Sequence, residues 1–326
     1  MKKTILLILI ALVGFLEYSS AHPLGKTKAI DTTEIVSISN SNQVIRIKGH
    51  SLENPLLLYL NGGPGDSVLD QMDKMFSELQ NEFTVILWDQ RNTGKTAALN
   101  KVKEPLTQEL LKKDTYQLVQ YLLQKFDKKK IVLVAHSYGT TLGFDLAKNH
   151  PELLHAYVAT NPLINQVESE QLTLAMLKAQ AEKNKNAKSL EELAQVTIPF
   201  KTGEELYYAR KWLFDLEGKS FARQKAFKTT VLSWSETWLE LFNESIQENL
   251  FESTKEIHCP VFFIIGQRDY QTNSVLTEKY YNLLQAPQKE IYSIEKAGHL
   301  IPYENGREFQ KVITHYLLST IKSNTN

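Results

Sequence analysis

Three residues have the types and the order that nucleophilic hydrolysis needs: Ser137, Asp269 and His299. A serine hydroxyl is a poor nucleophile at neutral pH. It needs a base to take its proton, an acid to orient that base, and N–H donors for the oxyanion that follows attack. Ser137 stands in Ala135-His136-Ser137-Tyr138-Gly139, after the apolar β-branched run 131–134 and before a segment with Leu142, Leu146 and Ala147 at helical spacing. Strand, sharp turn with serine at its apex, then helix is the context of a nucleophile elbow, G-x-S-x-G. The flanking residues must be small because the strained turn brings them close together. Gly139 is one of them, and Ala135 stands in place of the other. Acid and base then follow the serine in that order, each beyond a late strand. Asp269 follows the apolar run 261–265, and His299 follows the strand-like 290–294. We assign Asp269 as the acid and His299 as the base. His136 adjoins Ser137 but is expected to point away from it, and His150 and His155 fall at the far end of the following helix and strand.

The loop Asn61-Gly62-Gly63-Pro64-Gly65 is placed to provide one oxyanion donor, from Gly62 or Gly63, since glycine lets a backbone N–H approach a carbonyl unobstructed. The Tyr138 N–H is the expected second donor. Gly94-Lys95-Thr96 resembles the end of a phosphate-binding loop, but Asp89 stands where that motif requires glycine. No His/Cys/carboxylate set shows metal-ligand spacing. Neither a metal nor another cofactor is expected.

The elements that must position these residues alternate. Segments 34–38 and 44–47 read as a hairpin turning at Asn40-Ser41-Asn42. Strands are expected at 55–60, 83–88, 131–134, 154–160, 261–265 and 290–294. Between them Met72, Met75, Phe76 and Leu79 recur at helical spacing, as do Leu118, Tyr121, Leu122 and Phe126 after a helix start at Asp114 and Gln117. Strands alternating with helices predict an α/β fold, a mostly parallel sheet with helices on both faces. Residues 161–254 break the pattern, with helix-like segments, no strand, and Trp212, Trp234 and Trp238. We expect a core of 22–160 and 255–326 with a helical cap of 161–254 inserted between two strands. A closing helix is expected over 305–321.

Taken together these residues resemble the α/β-hydrolase superfamily, and more narrowly its prolyl-aminopeptidase (proline iminopeptidase)-like serine peptidase branch. The narrower resemblance rests on Gly62-Gly63-Pro64-Gly65, on Asp89-Gln90-Arg91 and on His136-Ser137-Tyr138-Gly139. It covers about 55–161 and 259 to the C-terminal helix, and fades in the insertion. Asn61 replaces a usual histidine, Asn92 a usual glycine, and Ala135 the first elbow glycine. The resemblance implies that the insertion caps the active site and that cap carboxylates hold the substrate's free amino terminus. The stretch Trp234-Ser235-Glu236-Thr237-Trp238-Leu239-Glu240 is similar to the branch's Trp-x-x-Trp-Glu, so Glu236, Glu240, Trp234 and Trp238 are the implied substrate-binding residues.

The N-terminus reads as a signal peptide over 1–21, with Lys2 and Lys3 before a short apolar stretch and Ser19-Ser20-Ala21 before the expected cleavage. This predicts export, to a periplasm or the medium, without stable membrane insertion after cleavage. The single cysteine, Cys259, can form no intramolecular disulfide, so the core alone must stabilise the fold. Acidic and basic residues balance to a net charge of +0, which argues against a nucleic-acid partner. The expected ligand is a small molecule or short peptide, and the sequence leaves the oligomeric state open. The expected activity is an exported aminopeptidase acting on short peptides or amides. The alternatives are a carboxylesterase or other small-molecule hydrolase, and a silent binding protein, against which the retained Ser137, Asp269 and His299 argue.

Overall fold

The computed structural model describes residues 28–100 and 105–323. The segment read as a signal peptide lies outside the described residues. Eight strands form one sheet: β1 (Ile30–Ile38), β2 (Ser41–Gly49), β3 (Leu56–Leu60), β4 (Thr84–Asp89), β5 (Ile131–His136), β6 (Leu154–Thr160), β7 (Val261–Gly266) and β8 (Lys289–Ile294). Their order is β1-β2-β4-β3-β5-β6-β7-β8. The first hairpin joins β4 antiparallel, and every later pairing is parallel.

Strands β3, β4, β5 and β7 are buried along their whole length. Their near-continuous apolar runs are what a parallel sheet covered on both faces requires. Alternate residues serve opposite faces. Leu56, Leu58, Leu60, Leu133 and Phe263 pack with Leu118, Leu122, Leu142 and Leu146 of the helices Gln108–Lys125 and Gly139–Asn149. Leu57, Tyr59, Val132, Val134 and Phe262 pack with Met72, Met75 and Phe76, and with Phe309, Ile313 and Leu317 of the closing helix Gly306–Ser323.

Two local expectations are corrected. The hairpin turns at Ser39 and Asn40, both with positive φ (44° and 62°), so β2 already starts at Ser41. Positive φ at both central residues matches the right-handed twist of the flanking strands. The helix expected to start at Asp114 begins at Gln108, capped by the Thr107 side chain, which accepts from the Leu110 N–H. Asp114 sits mid-helix and buried. Its carboxylate takes Arg91 Nε at 2.5 Å and Gln43 Nε2 at 2.9 Å.

Between β6 and β7 the described chain is helical, including Gln166–Lys183, Gly203–Leu216 and Lys225–Ser245. Part of this layer has its own apolar cluster around Phe200, Leu206 and Phe242. Trp238, Leu241 and Leu250 instead join the cluster on one face of the sheet.

Candidate active site

At the end of β5 the chain turns sharply and Ser137 adopts φ 53°, a left-handed conformation that non-glycine residues rarely take. The turn is held on both sides. The Ser137 N–H donates to the Thr160 carbonyl at 3.0 Å, and the Ser137 carbonyl accepts from Thr140 N–H at 2.9 Å and Thr140 Oγ1 at 2.6 Å. Gly139 has to be glycine, since a Cβ there would overlap the carbonyl oxygens of Leu60 and Asn61 at the end of β3. Ala135 is fully buried within β5, and its methyl joins the core cluster.

The loops after β7 and β8 bring the other two residues to Ser137. His299 Nε2 lies 2.9 Å from Ser137 Oγ, and His299 Nδ1 lies 2.9 Å from Asp269 Oδ2. All three residues are buried. Asp269 also accepts from the N–H groups of Gln271 (2.8 Å) and Thr272 (3.0 Å) and from Thr272 Oγ1 (2.7 Å). Burial alone would raise its carboxyl. The adjoining His299 and these hydrogen bonds outweigh burial and hold the carboxyl below its ordinary value. Asp269 therefore stays ionised, and its contact with Nδ1 leaves Nε2 facing Ser137 Oγ.

Two residues outside the assigned set fix the histidine loop. Burial, and then the nearby His299, push His136 down to about 3, so its ring is neutral. His136 Nε2 is 2.8 Å from the His299 carbonyl, an acceptor, so Nε2 carries the proton. The His136 side chain thus holds the backbone of His299, and it lines the same cavity as Ser137. Asn161 donates from Nδ2 to the carbonyls of Gly298 (3.1 Å) and His299 (2.8 Å) and accepts the Gly266 N–H at 2.8 Å. It ties the ends of β6 and β7 to the loop that carries His299. Its only sequence signal is its position immediately after β6.

The glycine loop lies beside the elbow. A Cβ on Gly62 would come within 3.0 Å of Ser137 Cβ, so the backbone approaches Ser137 closely. Gly63 lines the cavity that holds Ser137. Tyr138 caps the helix Gly139–Asn149, where the first N–H groups have no intrahelical partner. Its phenol points elsewhere and donates to Gln108 Oε1 at 2.8 Å.

Two adjoining cavities share Gly63, Asp66, Phe214 and Gln271. One, about 230 Å³, contains Ser137 and His299. The other, about 250 Å³, runs beneath the helical layer and is lined by Leu206, Phe227, Trp234 and Phe242. The Trp234 Nε1–H donates to the Pro64 carbonyl at 2.7 Å. Trp238 is buried against Gly65 and lines neither cavity. Glu236 and Glu240 are not brought to the site. Both are exposed and line neither cavity, because each lies two residues, about 200° of helix, beyond Trp234 or Trp238. The acidic residue on the shared wall is Asp66, which composition alone did not single out. Among the described residues no group of three His, Cys, Asp or Glu side chains could hold a metal ion.

The chain is 27% identical over 315 residues to a probable aminopeptidase of Bacillus subtilis (strain 168), YbaC, covering 90% of this chain and 98% of that protein. Among solved structures it is similar to a proline iminopeptidase of Mycobacterium smegmatis, with TM-score 0.65 at 16% identity, covering 90% of this chain and all of that one (100%). A thermophilic esterase from Thermogutta terrifontis superposes with TM-score 0.58 at 18% identity, over 90% of this chain and 99% of the esterase. The family model for the alpha/beta hydrolase fold matches residues 55–306, from β3 to the start of the closing helix, and so contains the elbow and both loops that meet it. On that match the chain belongs to the alpha/beta hydrolase fold family.

Proposed function

We propose that this protein is an exported serine hydrolase acting as an aminopeptidase on short peptides or amides. Ser137 is the nucleophile, His299 the general base and acid, and Asp269 the group that orients and balances the imidazolium. The observation that carries the reading is the unbroken hydrogen-bond run from Ser137 Oγ through His299 to Asp269. In acylation His299 Nε2 takes the hydroxyl proton as Oγ attacks the carbonyl carbon. The N–H groups of Tyr138 and of Gly62 or Gly63 meet the oxyanion, and the imidazolium returns its proton to the departing amine. Water then attacks the acyl-enzyme by the same route and regenerates the serine.

The peptidase reading is supported by the similarity to the Bacillus subtilis aminopeptidase over nearly the whole of both chains. Carboxylesterase activity is the second reading, favoured by the apolar walls of Leu206, Phe227, Trp234 and Phe242. Ser137→Ala tests the chemistry. Turnover should fall on the order of 10⁶-fold, as when a serine hydrolase loses its nucleophile, and labelling by a fluorophosphonate should disappear with the fold intact. Undiminished turnover in the pure variant would exclude Ser137. Paired p-nitroanilides, one with a free and one with an acetylated N-terminus, separate the two readings. An aminopeptidase cleaves the first and not the second.

A further inference from the structure

The two cavities differ from an ordinary apolar pocket in their charge. Of the residues that line them, Asp66 and Arg210 carry formal charges at neutral pH. Arg210 is already answered. Its guanidinium grips the buried carboxylate of Glu170 through two bonds, at 2.8 Å and 2.5 Å. Asp66 has no such partner. Among the described residues its carboxylate makes no hydrogen bond or ion pair. Asp66 is exposed, and its surface forms part of the shared wall, while the protein packed on one side of its carboxyl raises that group, with His299 acting in the opposite direction.

The loop that carries Asp66 is fixed. The Asn61 side-chain amide donates to the Asp66 carbonyl. The Asp66 carboxyl carbon sits beside Gly63, 3.4 Å from where a Cβ on that glycine would be. The loop backbone therefore places the carboxylate next to the expected oxyanion donors, on the wall of the same small cavity as Ser137. A carboxylate without a partner on a cavity wall gains from a counter-charge that arrives with its own donors. The other acid near the triad, Glu217, faces a separate cavity that it shares with Lys219, Arg268 and Lys296.

We propose that Asp66 determines specificity, its carboxylate receiving a primary or secondary ammonium on the acyl portion of the substrate. This rests on the serine-hydrolase reading and narrows the substrate class. The selecting charge comes from the core loop after β3, not from the helical layer.

The test uses two activated esters that differ only in the amine, 2-naphthyl alaninate and 2-naphthyl propionate. In the wild type the ratio of their kcat/KM values should favour the alaninate. Asp66→Asn should lower that ratio roughly ten- to a hundredfold, the range for one lost charge-assisted hydrogen bond. The loss should fall mainly on KM for the alaninate, and Asp66→Glu should retain part of the preference. An unchanged ratio in Asp66→Asn overturns the proposal. So does equal loss on both esters, which would mark Asp66 as a support of the loop. Because neither ester needs an amide to be cleaved, absent amide turnover would end the aminopeptidase reading without deciding the role of Asp66.

Discussion

Glu217 is an acid whose surroundings oppose its charge. It ends the helix Gly203–Leu216, and its Oε1 is buried without a hydrogen-bond partner among the described residues. Burial, and then the negative Asp269 nearby, push its carboxyl up to about 7 from an ordinary 4.5. A carboxyl with a higher pKa in the folded than in the unfolded chain binds its proton more tightly when folded. The stability it contributes is complete below the unfolded value and is lost as pH rises through the folded one, here from 4.5 to about 7. Glu217→Gln keeps the neutral shape. Its melting temperature relative to wild type should therefore rise between about pH 5 and about pH 8. Melting curves at both pH values check this, and a constant difference would mean that Glu217 ionises without cost. Arg91 shows a different solution for a buried charge. It pairs with Asp114 and donates to the Ser39 carbonyl at 2.7 Å, so the Asp-Gln-Arg motif braces the first hairpin against the helix Gln108–Lys125. Next to it, Asn92 replaces the usual glycine at φ 55°, a conformation asparagine tolerates better than most residues.

At the scale of elements, the helix Lys225–Ser245 is docked on the glycine loop by its two tryptophans. Trp234 holds the Pro64 carbonyl, and the Trp238 indole fills the space where a Gly65 side chain would be. Gly65 also has φ +90°, which disfavours any other residue. Gly65→Ala should therefore cost roughly 2–6 kcal/mol from overpacking and backbone strain together. It should also disturb the adjoining oxyanion donors proposed at Gly62 or Gly63. Denaturant midpoints and kcat for an activated ester measure the two effects. A midpoint equal to wild type would show that the indole moves aside freely. The same helix explains why its carboxylates stay outside. Turning both tryptophans inward leaves Glu236 and Glu240 facing solvent.

At the scale of the whole molecule, the helical layer and the sheet share one apolar cluster through Trp238, Leu241 and Leu250. A polar tie reinforces it, since Tyr138 and Ser245 both donate to Gln108 Oε1, at 2.8 Å and 2.6 Å. The residue after the nucleophile is thus anchored to the layer that roofs the cavity. Cys259 is buried, and burial pushes its thiol up to about 12, so it packs as a small apolar residue. No described helix is long and apolar enough to cross a membrane. The proposed export rests on residues 1–21, and it predicts a mature chain that begins at His22. Intact-mass measurement on protein recovered from the periplasm or medium of its host checks this. A full-length chain retained in the cytoplasm would overturn it.

The elements and the order of the site residues were legible in the sequence because both depend on neighbours along the chain. The elbow is a local device of strand, turn and helix, Asp269 follows a recognisable apolar run, and His299 follows a strand-like one. Periodicity also contained the placement of Glu236 and Glu240, two residues out of phase with tryptophans that had to be buried. The similarity to the branch's Trp-x-x-Trp-Glu motif pointed the other way. Other features depended on contacts between distant parts of the chain, which no local pattern encodes. Asp114 looked like a helix cap until Arg91, 23 residues earlier, was seen against it. Asn161 and His136 acquire their positioning roles only because β8 delivers the His299 carbonyl to them, across 138 and 163 residues. Asp66 is one acidic residue among many in the sequence. Only the packing of the helical layer over the loop after β3 put its carboxylate, unpaired, on the wall that Ser137 faces.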